Sequence, residues 1–251
     1  MITLDGVKID STRFPDATTQ VWKLASELLS QESIATVRWM FEAESEIVQL
    51  AQLKTLLDNA GRNVHLIIEY LPYARQDKAV SNEATFALHP FATLLNSLNF
   101  SKVTILDPHS PIALTLIENA IAIYPTEEVN QLIVDDKIDL LCFPDQGAQE
   151  KYANMYPLTP SVFANKVREQ STGKILETRV EGNVENKRVL IVDDICDGGA
   201  TFTALAKVLK EAGAAYVGLQ VTHGIFSKGI QILLDSGIDK VSFTHRQGEI
   251  K

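Results

Sequence analysis

Cysteine is scarce in this sequence, and the N-terminal part has no long run of apolar residues. The 251 residues include two cysteines, Cys142 and Cys196, which lie in or beside apolar segments and show no CxxC or Cys/His spacing. Zinc sites and disulfide frameworks depend on such spacings, so we interpret both thiols as packing residues in a reducing compartment. Asp5, Lys8 and Asp10 place charge near the N-terminus. We therefore expect no signal peptide or transmembrane helix, and a cytoplasmic protein.

Positive charge is also in short supply. Asp and Glu total 32 against 23 Lys and Arg, which gives a formal net charge of −9. A nucleic-acid or anionic-membrane partner requires a basic surface, so we expect neither. The GxxxxGK[ST], HExxH, GxSxG and zinc-finger spacings are absent, so any ATP site must work without a Walker A loop. Clustered Lys and Arg, together with metal ions, would have to hold phosphorylated substrates against this acidic background.

Strand-like and helix-like segments alternate along the chain. Short apolar, β-branched runs predict strands, and apolar residues at helical spacing predict helices. The predicted strands are 64–69, 102–106, 139–143, 161–164, 189–192, 217–221 and 241–243, and the predicted helices are 44–60, 83–98, 146–155, 201–212 and one after Ser227. This alternation implies an α/β fold with mainly parallel sheets and right-handed crossovers. We place a domain boundary near Pro125 and predict that the polar segment 166–182 is a mobile lid.

The most informative segment reads KRVLIVDDICDGGATFTALAKVLKEAG. Gly198 and Gly199 let the backbone approach a ligand, and the N-terminus of the following helix favours an anion there. Asp193 and Asp194 close the preceding strand, where carboxylates can hold sugar hydroxyls or a divalent cation. The alternative is an ordinary tight turn in which Asp197 caps the helix. Three carboxylates beside a glycine pair on one loop favour a phosphate cradle.

A second informative segment, YLPYARQDK, follows the predicted strand 64–69. Pro72 stops the strand and leaves Arg75, Gln76 and Lys78 on a loop at its C-terminal end. Open α/β sheets bind ligands at that edge, and Arg and Lys suit a polyphosphate. A solvated charged loop is the alternative.

Two further polar residues come shortly after the ends of predicted strands. His109 comes after the dipeptide DP, and Asp145 comes after FP. Both positions are on the edge of a sheet that binds ligands, although a structural histidine and a helix-capping aspartate are the alternatives.

These segments together resemble the ribose-phosphate diphosphokinases, also called phosphoribosyl-diphosphate synthetases. The matching segments occur in the family's order: RFPDAT, YLPYARQDK, DPHS, FPDQGA, the pair Lys166 and Arg168, VDDICDGGAT and THGIF. The resemblance implies two type I phosphoribosyltransferase-like domains, each a mainly parallel sheet flanked by helices. It places ATP-binding segments in 1–125, and a ribose 5-phosphate site with its lid in 126–251.

The resemblance also implies an activity and roles for individual residues. The implied reaction is magnesium-dependent transfer of the diphosphoryl group of ATP to the 1-hydroxyl of ribose 5-phosphate, which yields phosphoribosyl diphosphate and AMP for nucleotide biosynthesis. The implied residues are Lys166 and Arg168 for catalysis; Phe14, Asp16, Arg75, Gln76 and His109 for ATP; Asp193, Asp194, Asp197, Gly198, Gly199, Ala200 and Thr201 for ribose 5-phosphate; and His109 and Asp145 for Mg²⁺. A homo-oligomer, dimer or hexamer, is implied as well, because the RFPDAT segment resembles one that reaches the ATP of a neighbouring subunit.

Two other functions remain open at this stage. A type I phosphoribosyltransferase would explain VDDICDGGAT but not YARQDK, and a non-catalytic regulatory homologue would keep the fold without turnover. The sequence departs from the family at Thr18, where a glutamate is usual, at Pro108, where a leucine is usual, and near Asn82, where an arginine is usual. The family's usual first strand and helix and its last strand and helix are also without a counterpart, so we expect a shortened member with altered nucleotide selectivity, assembly or regulation.

Overall fold

The computed structural model describes residues 1–21, 24–29, 34–79, 81, 83–168 and 175–246, with the backbone alone for 165–168 and 175–178. The chain divides into two compact units, Met1–Tyr124 and Pro125–Lys251. Each unit contains a six-stranded sheet with helices packed against it. None of the helices in the described ranges combines the length and the apolar character needed to span a membrane.

The sheet of the first unit is parallel over most of its width. Its strands are β1 (Ile2–Leu4), β2 (Val7–Lys8), β5 (Ala35–Trp39), β6 (Val64–Ile68), β7 (Lys102–Leu106) and β8 (Ala120–Ile123). They lie in the order β2-β1-β5-β6-β7-β8. Strands β5 to β8 pair in parallel, whereas β1 is antiparallel to both of its neighbours. A separate antiparallel hairpin joins β3 (Thr12–Arg13) and β4 (Thr19–Gln20).

The helices of the first unit are α1 (Ser26–Leu29), α2 (Glu46–Asn59), α3 (Leu88–Asn96) and α4 (Ile112–Leu116). Helix α2 buries Leu50, Leu53 and Leu57 because residues three and four apart share one helical face. The chain leaves α2 through Gly61, whose φ of +72° suits a residue without a Cβ. The predicted helix 83–98 forms only from Leu88 onward.

The sheet of the second unit is parallel except for one edge strand. Its strands are β9 (Leu140–Phe143), β10 (Ser161–Arg168), β11 (Ile175–Glu181), β12 (Arg188–Cys196), β13 (Tyr216–Gly224) and β14 (Lys240–Arg246). They lie in the order β11-β10-β9-β12-β13-β14, and only β11 runs antiparallel to its neighbour. The central strands β12 and β13 are almost wholly buried, as expected for a sheet covered on both faces.

The helices of the second unit are α5 (Thr126–Asp135), α6 (Gln146–Tyr152), α7 (Ala200–Glu211) and α8 (Gln231–Leu234), with a 3₁₀ turn at Ala153–Met155. Helix α7 buries Phe202, Leu205 and Leu209 in the core of this unit. The α/β fold with two largely parallel sheets is thus confirmed.

The segment 166–182 differs from the prediction of an irregular lid. Its described backbone belongs to the antiparallel pair β10 and β11, with a register irregularity between Val167 and Arg168. Residues 169–174 lie outside the described residues. Cross-strand hydrogen bonds explain the difference, because β10 pairs on one side with β11 and on the other with β9.

Candidate functional site

Three carboxylates gather at the C-terminal end of the second unit's sheet. Strands β9 and β12 are parallel neighbours, so residues that follow β9 lie close to the last residues of β12. Asp145 follows β9, and Asp193 and Asp194 lie within β12, which continues to Cys196 instead of ending before the aspartates. Asp145 also caps helix α6, because its Oδ1 accepts a hydrogen bond from the backbone N–H of Ala148 at 3.1 Å.

Burial and neighbouring carboxylates both act on the protonation of this cluster. Burial raises the pKa of Asp193 well above its ordinary value, and the carboxylates of Asp194 and Asp145 raise that pKa further. Lys151 on α6 opposes this effect, with its Nζ 3.3 Å from Asp194 Oδ2. The backbone N–H of Asp194 also donates to Asp193 Oδ1 at 2.9 Å. The cluster therefore holds an excess of negative charge that a cation or hydroxyl donors would stabilise.

The predicted phosphate cradle lies directly beyond these carboxylates. Gly199 is the N-cap of α7 and has a left-handed backbone, with φ +75°. A Cβ on Gly199 would lie 2.9 Å from Leu233 Cδ2, so this position also lacks room for a side chain. The first backbone N–H groups of α7, including those of Ala200 and Thr201, have no partner within a helix, and they create a site that favours an anion.

The structure corrects the alternative in which Asp197 caps α7, because Gly199 holds the N-cap position. Asp197 instead accepts a hydrogen bond from Ser227 Oγ, with a distance of 2.5 Å to its Oδ1. Burial raises the pKa of the Cys196 thiol to about 12, with contributions from Asp193 and Asp197, so this cysteine is not a thiolate nucleophile near the loop.

The predicted ATP residues of the first unit lie on two regions. Arg75 and Gln76 are exposed on the turn after β6, and His109 is exposed after β7. Because β6 and β7 are parallel neighbours, both segments leave the same edge of the sheet. Asp107 and Pro108, which precede His109, are buried and fix the start of its loop.

Phe14 and Asp16 lie on a different element, the hairpin loop between β3 and β4. The hydroxyl and the backbone N–H of Thr18 donate to Asp16 Oδ1 at 2.7 and 3.0 Å, and these bonds lower the pKa of Asp16. Phe14 and Thr18 also line a cavity of about 400 Å³; the other lining residues are Thr19, Gln20, Val21, Gln52, Thr55 and Leu56.

The remaining predicted residues are placed only in part. Lys166 and Arg168 belong to β10 by their backbone, and their side chains lie outside the described residues. His109 is in the first unit and Asp145 in the second. In the ranges that the structure describes, no group of three or more His, Cys, Asp or Glu side chains could hold a metal ion by itself.

Sequence reasoning missed two lysines that the structure brings to the candidate site. Lys151 pairs with Asp194, and Lys228 lies against Gly198. Lys151 could have been found from the sequence, since it lies on the predicted helix 146–155, six residues after Asp145. Lys228 gave no such signal, because only the path of the chain after β13 brings it to the loop.

Comparison with known proteins gives matches along nearly the whole chain. Residues 158–250 match the family described as "Phosphoribosyl transferase domain". A ribose-phosphate pyrophosphokinase of Corynebacterium efficiens is 28% identical over 216 residues, which cover 82% of this chain and 65% of that protein. The protein of the same name from Pyrococcus furiosus is 27% identical over 244 residues, covering 94% and 85%. The chain thus spans slightly less than two thirds of the first relative and most of the second.

A solved structure shows the same fold. The crystal structure of phosphoribosylpyrophosphate synthetase from Mycobacterium smegmatis superposes with a TM-score of 0.78 at 22% sequence identity, covering 93% of this chain and 78% of that chain. The similarity includes both units, whereas the phosphoribosyl transferase domain match is confined to the second.

Proposed function

Because this chain is a relative of the ribose-phosphate pyrophosphokinases (diphosphokinases), as its motifs predicted, we propose that it transfers the diphosphoryl group of ATP to ribose 5-phosphate. One observation carries the proposal: the relatives align through the first unit as well as the second, with 94% of the chain covered in one case. A type I phosphoribosyltransferase alone would explain the match to residues 158–250 but not the alignment of the first unit.

The second unit supplies features that suit ribose 5-phosphate. In the proposal, the 5-phosphate binds the N–H groups from Asp197 to Thr201 at the start of α7. The carboxylates of Asp193 and Asp194 accept hydrogen bonds from the ribose hydroxyls, at the end of a buried strand that fixes their position.

The first unit would hold ATP. Arg75, Gln76 and His109 leave one edge of its sheet on exposed segments, and Phe14 and Asp16 lie on the hairpin that the resemblance assigns to adenine. In the reaction, the 1-hydroxyl oxygen of ribose forms a bond to the β-phosphorus of ATP. The bond from that phosphorus to the α,β-bridging oxygen breaks, AMP leaves with this oxygen, and the hydroxyl proton passes to solvent.

Magnesium fits the residues that are present. Asp145, Asp193 and Asp194 provide carboxylate oxygens, which Mg²⁺ prefers as ligands. They do not form a complete site by themselves, but Mg²⁺ is ordinarily held by one or two carboxylates plus substrate phosphates. Asp145 in the second unit and His109 in the first are each proposed as a protein ligand of Mg²⁺. A bound Mg²⁺ would neutralise charge on the polyphosphate. Lys166 and Arg168 would add positive charge during the transfer, which needs positioning and charge neutralisation more than covalent chemistry.

The test is incubation with ATP, MgCl₂ and ribose 5-phosphate, followed by chromatography of the nucleotides and ³¹P NMR. We expect AMP and phosphoribosyl diphosphate in equal amounts, and no AMP when ribose 5-phosphate is omitted. Formation of ADP alone, or no turnover with metal present, would contradict the proposal.

Sedimentation of the active protein tests the expected homo-oligomer, which a fully active monomer would exclude.

A further inference from the structure

Three hydrogen bonds join the turn between β13 and α8 to the start of the predicted phosphate cradle, residues 197–201, which is called the phosphate loop below. The backbone N–H groups of Ile225 and Phe226 donate to the carbonyl oxygen of Cys196, at 2.9 and 3.1 Å. Ser227 Oγ donates to Asp197 Oδ1 at 2.5 Å. These bonds fix residues 225–227 against Cys196 and Asp197, so the next residue, Lys228, begins close to the loop.

A buried aromatic side chain anchors this turn. Phe226 has no exposed surface, and its ring contacts that of Phe243 edge to face, with 5.5 Å between centroids. Its backbone has φ +49°, and its carbonyl accepts a hydrogen bond from the N–H of Gly229 at 2.8 Å. A Cβ on Gly224 would lie only 2.0 Å from Phe226 Cε2, so the ring packs directly against the glycine backbone. The conformation of the turn is thus fixed by core packing.

Lys228 is the residue that this turn presents to the loop. A Cβ on Gly198 would lie 3.6 Å from Lys228 Cε and 3.7 Å from Cδ, so the end of the lysine side chain covers Gly198. The ammonium group is one bond beyond Cε. Lys228 is exposed and forms no ion pair with the part of the chain that the structure describes.

We propose that Lys228 binds the 5-phosphate of ribose 5-phosphate by placing its ammonium group over Gly198. The proposal rests on the proposed function and names a binding residue for it. The two glycines of the loop offer backbone N–H groups and Thr201 adds a hydroxyl, but the loop has no positive side chain of its own. It also carries the carboxylate of Asp197, and Asp193 and Asp194 precede it closely in the sequence. A positive side chain would stabilise a phosphate dianion beside these carboxylates, and the anchored turn brings Lys228 to Gly198, where it can supply that charge.

The experiment measures ribose 5-phosphate binding by titration calorimetry in the absence of ATP, with the whole chain. The variants are Lys228→Ala, Lys228→Gln and Lys228→Arg, and the matched control is Lys207→Ala, an exposed lysine further along α7. We expect Lys228→Ala and Lys228→Gln to raise the Kd about tenfold, as for loss of one charge-assisted hydrogen bond. Lys228→Arg should stay within about threefold of the wild type because it keeps the charge, and Lys207→Ala should match the wild type.

The outcomes separate this inference from the proposed function. An unchanged Kd in Lys228→Ala, or an equal loss in Lys207→Ala, would overturn the role of Lys228 even if the wild type makes AMP. Weaker binding in Lys228→Ala, with no AMP formed by the wild type, would support the phosphate site and contradict the diphosphoryl transfer. Failure of the wild type to bind ribose 5-phosphate at all would overturn both.

Discussion

The Nζ atom of Lys151 lies 3.3 Å from Oδ2 of Asp194, and both side chains are largely buried, with exposed fractions of 15% and 7%. The charge of Lys151 is one attraction that opposes the repulsion among Asp145, Asp193 and Asp194. Removing one partner of a buried pair leaves the other charge uncompensated, at a typical loss of ~3 kcal/mol in the free energy of unfolding.

Lys151→Met should therefore lower the Tm at neutral pH, and MgCl₂ should restore more of the Tm in this variant than in the wild type. A divalent cation can replace the missing ammonium charge among the carboxylates, and a ligand that binds the folded state raises its stability. Thermal unfolding with and without MgCl₂ measures the effect. Lys151→Arg and the exposed Lys187→Met serve as controls, and an equal magnesium response in all variants would show that the cluster does not bind the cation.

Lys166 and Arg168 provide a second test, on turnover. Under the proposed mechanism their positive charge acts mainly in the transition state, so replacing both by Ala should cut kcat by on the order of 10³. The Kd of ribose 5-phosphate should barely change, because its phosphate is assigned to the loop before α7. Steady-state kinetics and calorimetry measure the two quantities. If the double variant lost ribose 5-phosphate binding and kept its kcat, both residues would be substrate anchors instead.

Parts of this fold were predictable because their signals are local. Strand β7 matches its predicted bounds, and α7 was predicted to within one residue at each end, since both have a continuous or periodic apolar pattern between clear breaks. The resemblance to the diphosphokinases was also readable from short motifs. The reason is that the glycine pair and the carboxylates before it are close together in the sequence and therefore form one short motif.

Other parts depend on tertiary contacts and could not be predicted. Strand β5 carries Thr36 and Arg38 in an otherwise apolar run, and its pairing with both β1 and β6 determines its structure. Strand β11 exists because β10 provides an antiparallel partner. Lys228 reaches Gly198 only through the folded turn after β13. Such contacts join residues far apart in the chain, and no local pattern reports them.

The two cysteines yield a prediction about reactivity. Burial raises the pKa of Cys142 to about 12, and burial with nearby carboxylates does the same for Cys196. Only the thiolate reacts rapidly with disulfide reagents, so neither cysteine should be labelled by DTNB in the folded protein at pH 8. Both should react after unfolding in guanidinium chloride. Rapid labelling of the folded protein would place at least one thiol at the surface.

His65 yields a prediction about pH. Burial, assisted by the charge of Lys102, lowers the pKa of His65 below its ordinary value of 6.5. Near pH 6.5 the unfolded chain then binds more protons at this residue than the folded chain does. The free energy of unfolding therefore keeps the full contribution of His65 above pH 6.5 and decreases as the pH falls through 6.5 toward the lower folded pKa. The Tm of the wild type minus that of His65→Gln should decrease between pH 8 and pH 5. A pH-independent difference would mean that His65 titrates alike in both states.

Gly198 and Gly199 are neighbours in the phosphate loop, yet we expect an alanine substitution to change the stability of the protein very differently at the two positions. Gly199 has φ +75°, and a Cβ there would lie 2.9 Å from Leu233 Cδ2, a side chain with 1% exposure. Gly199→Ala should therefore cost about 1–3 kcal/mol in the free energy of unfolding, through backbone strain and steric overlap.

At Gly198 the nearest atom to a new Cβ is Lys228 Cε at 3.6 Å, an ordinary contact, and the φ value lies outside the left-handed region. Gly198→Ala should accordingly change the Tm little, whereas Gly199→Ala should lower the Tm and raise the Kd of ribose 5-phosphate at least tenfold, because Gly199 sets the direction of the first N–H groups of α7. Calorimetry and thermal unfolding of the two variants, side by side, test this contrast. If Gly198→Ala were the more damaging change, close approach of the ligand to the backbone at residue 198, and not the left-handed turn at 199, would be what the loop requires.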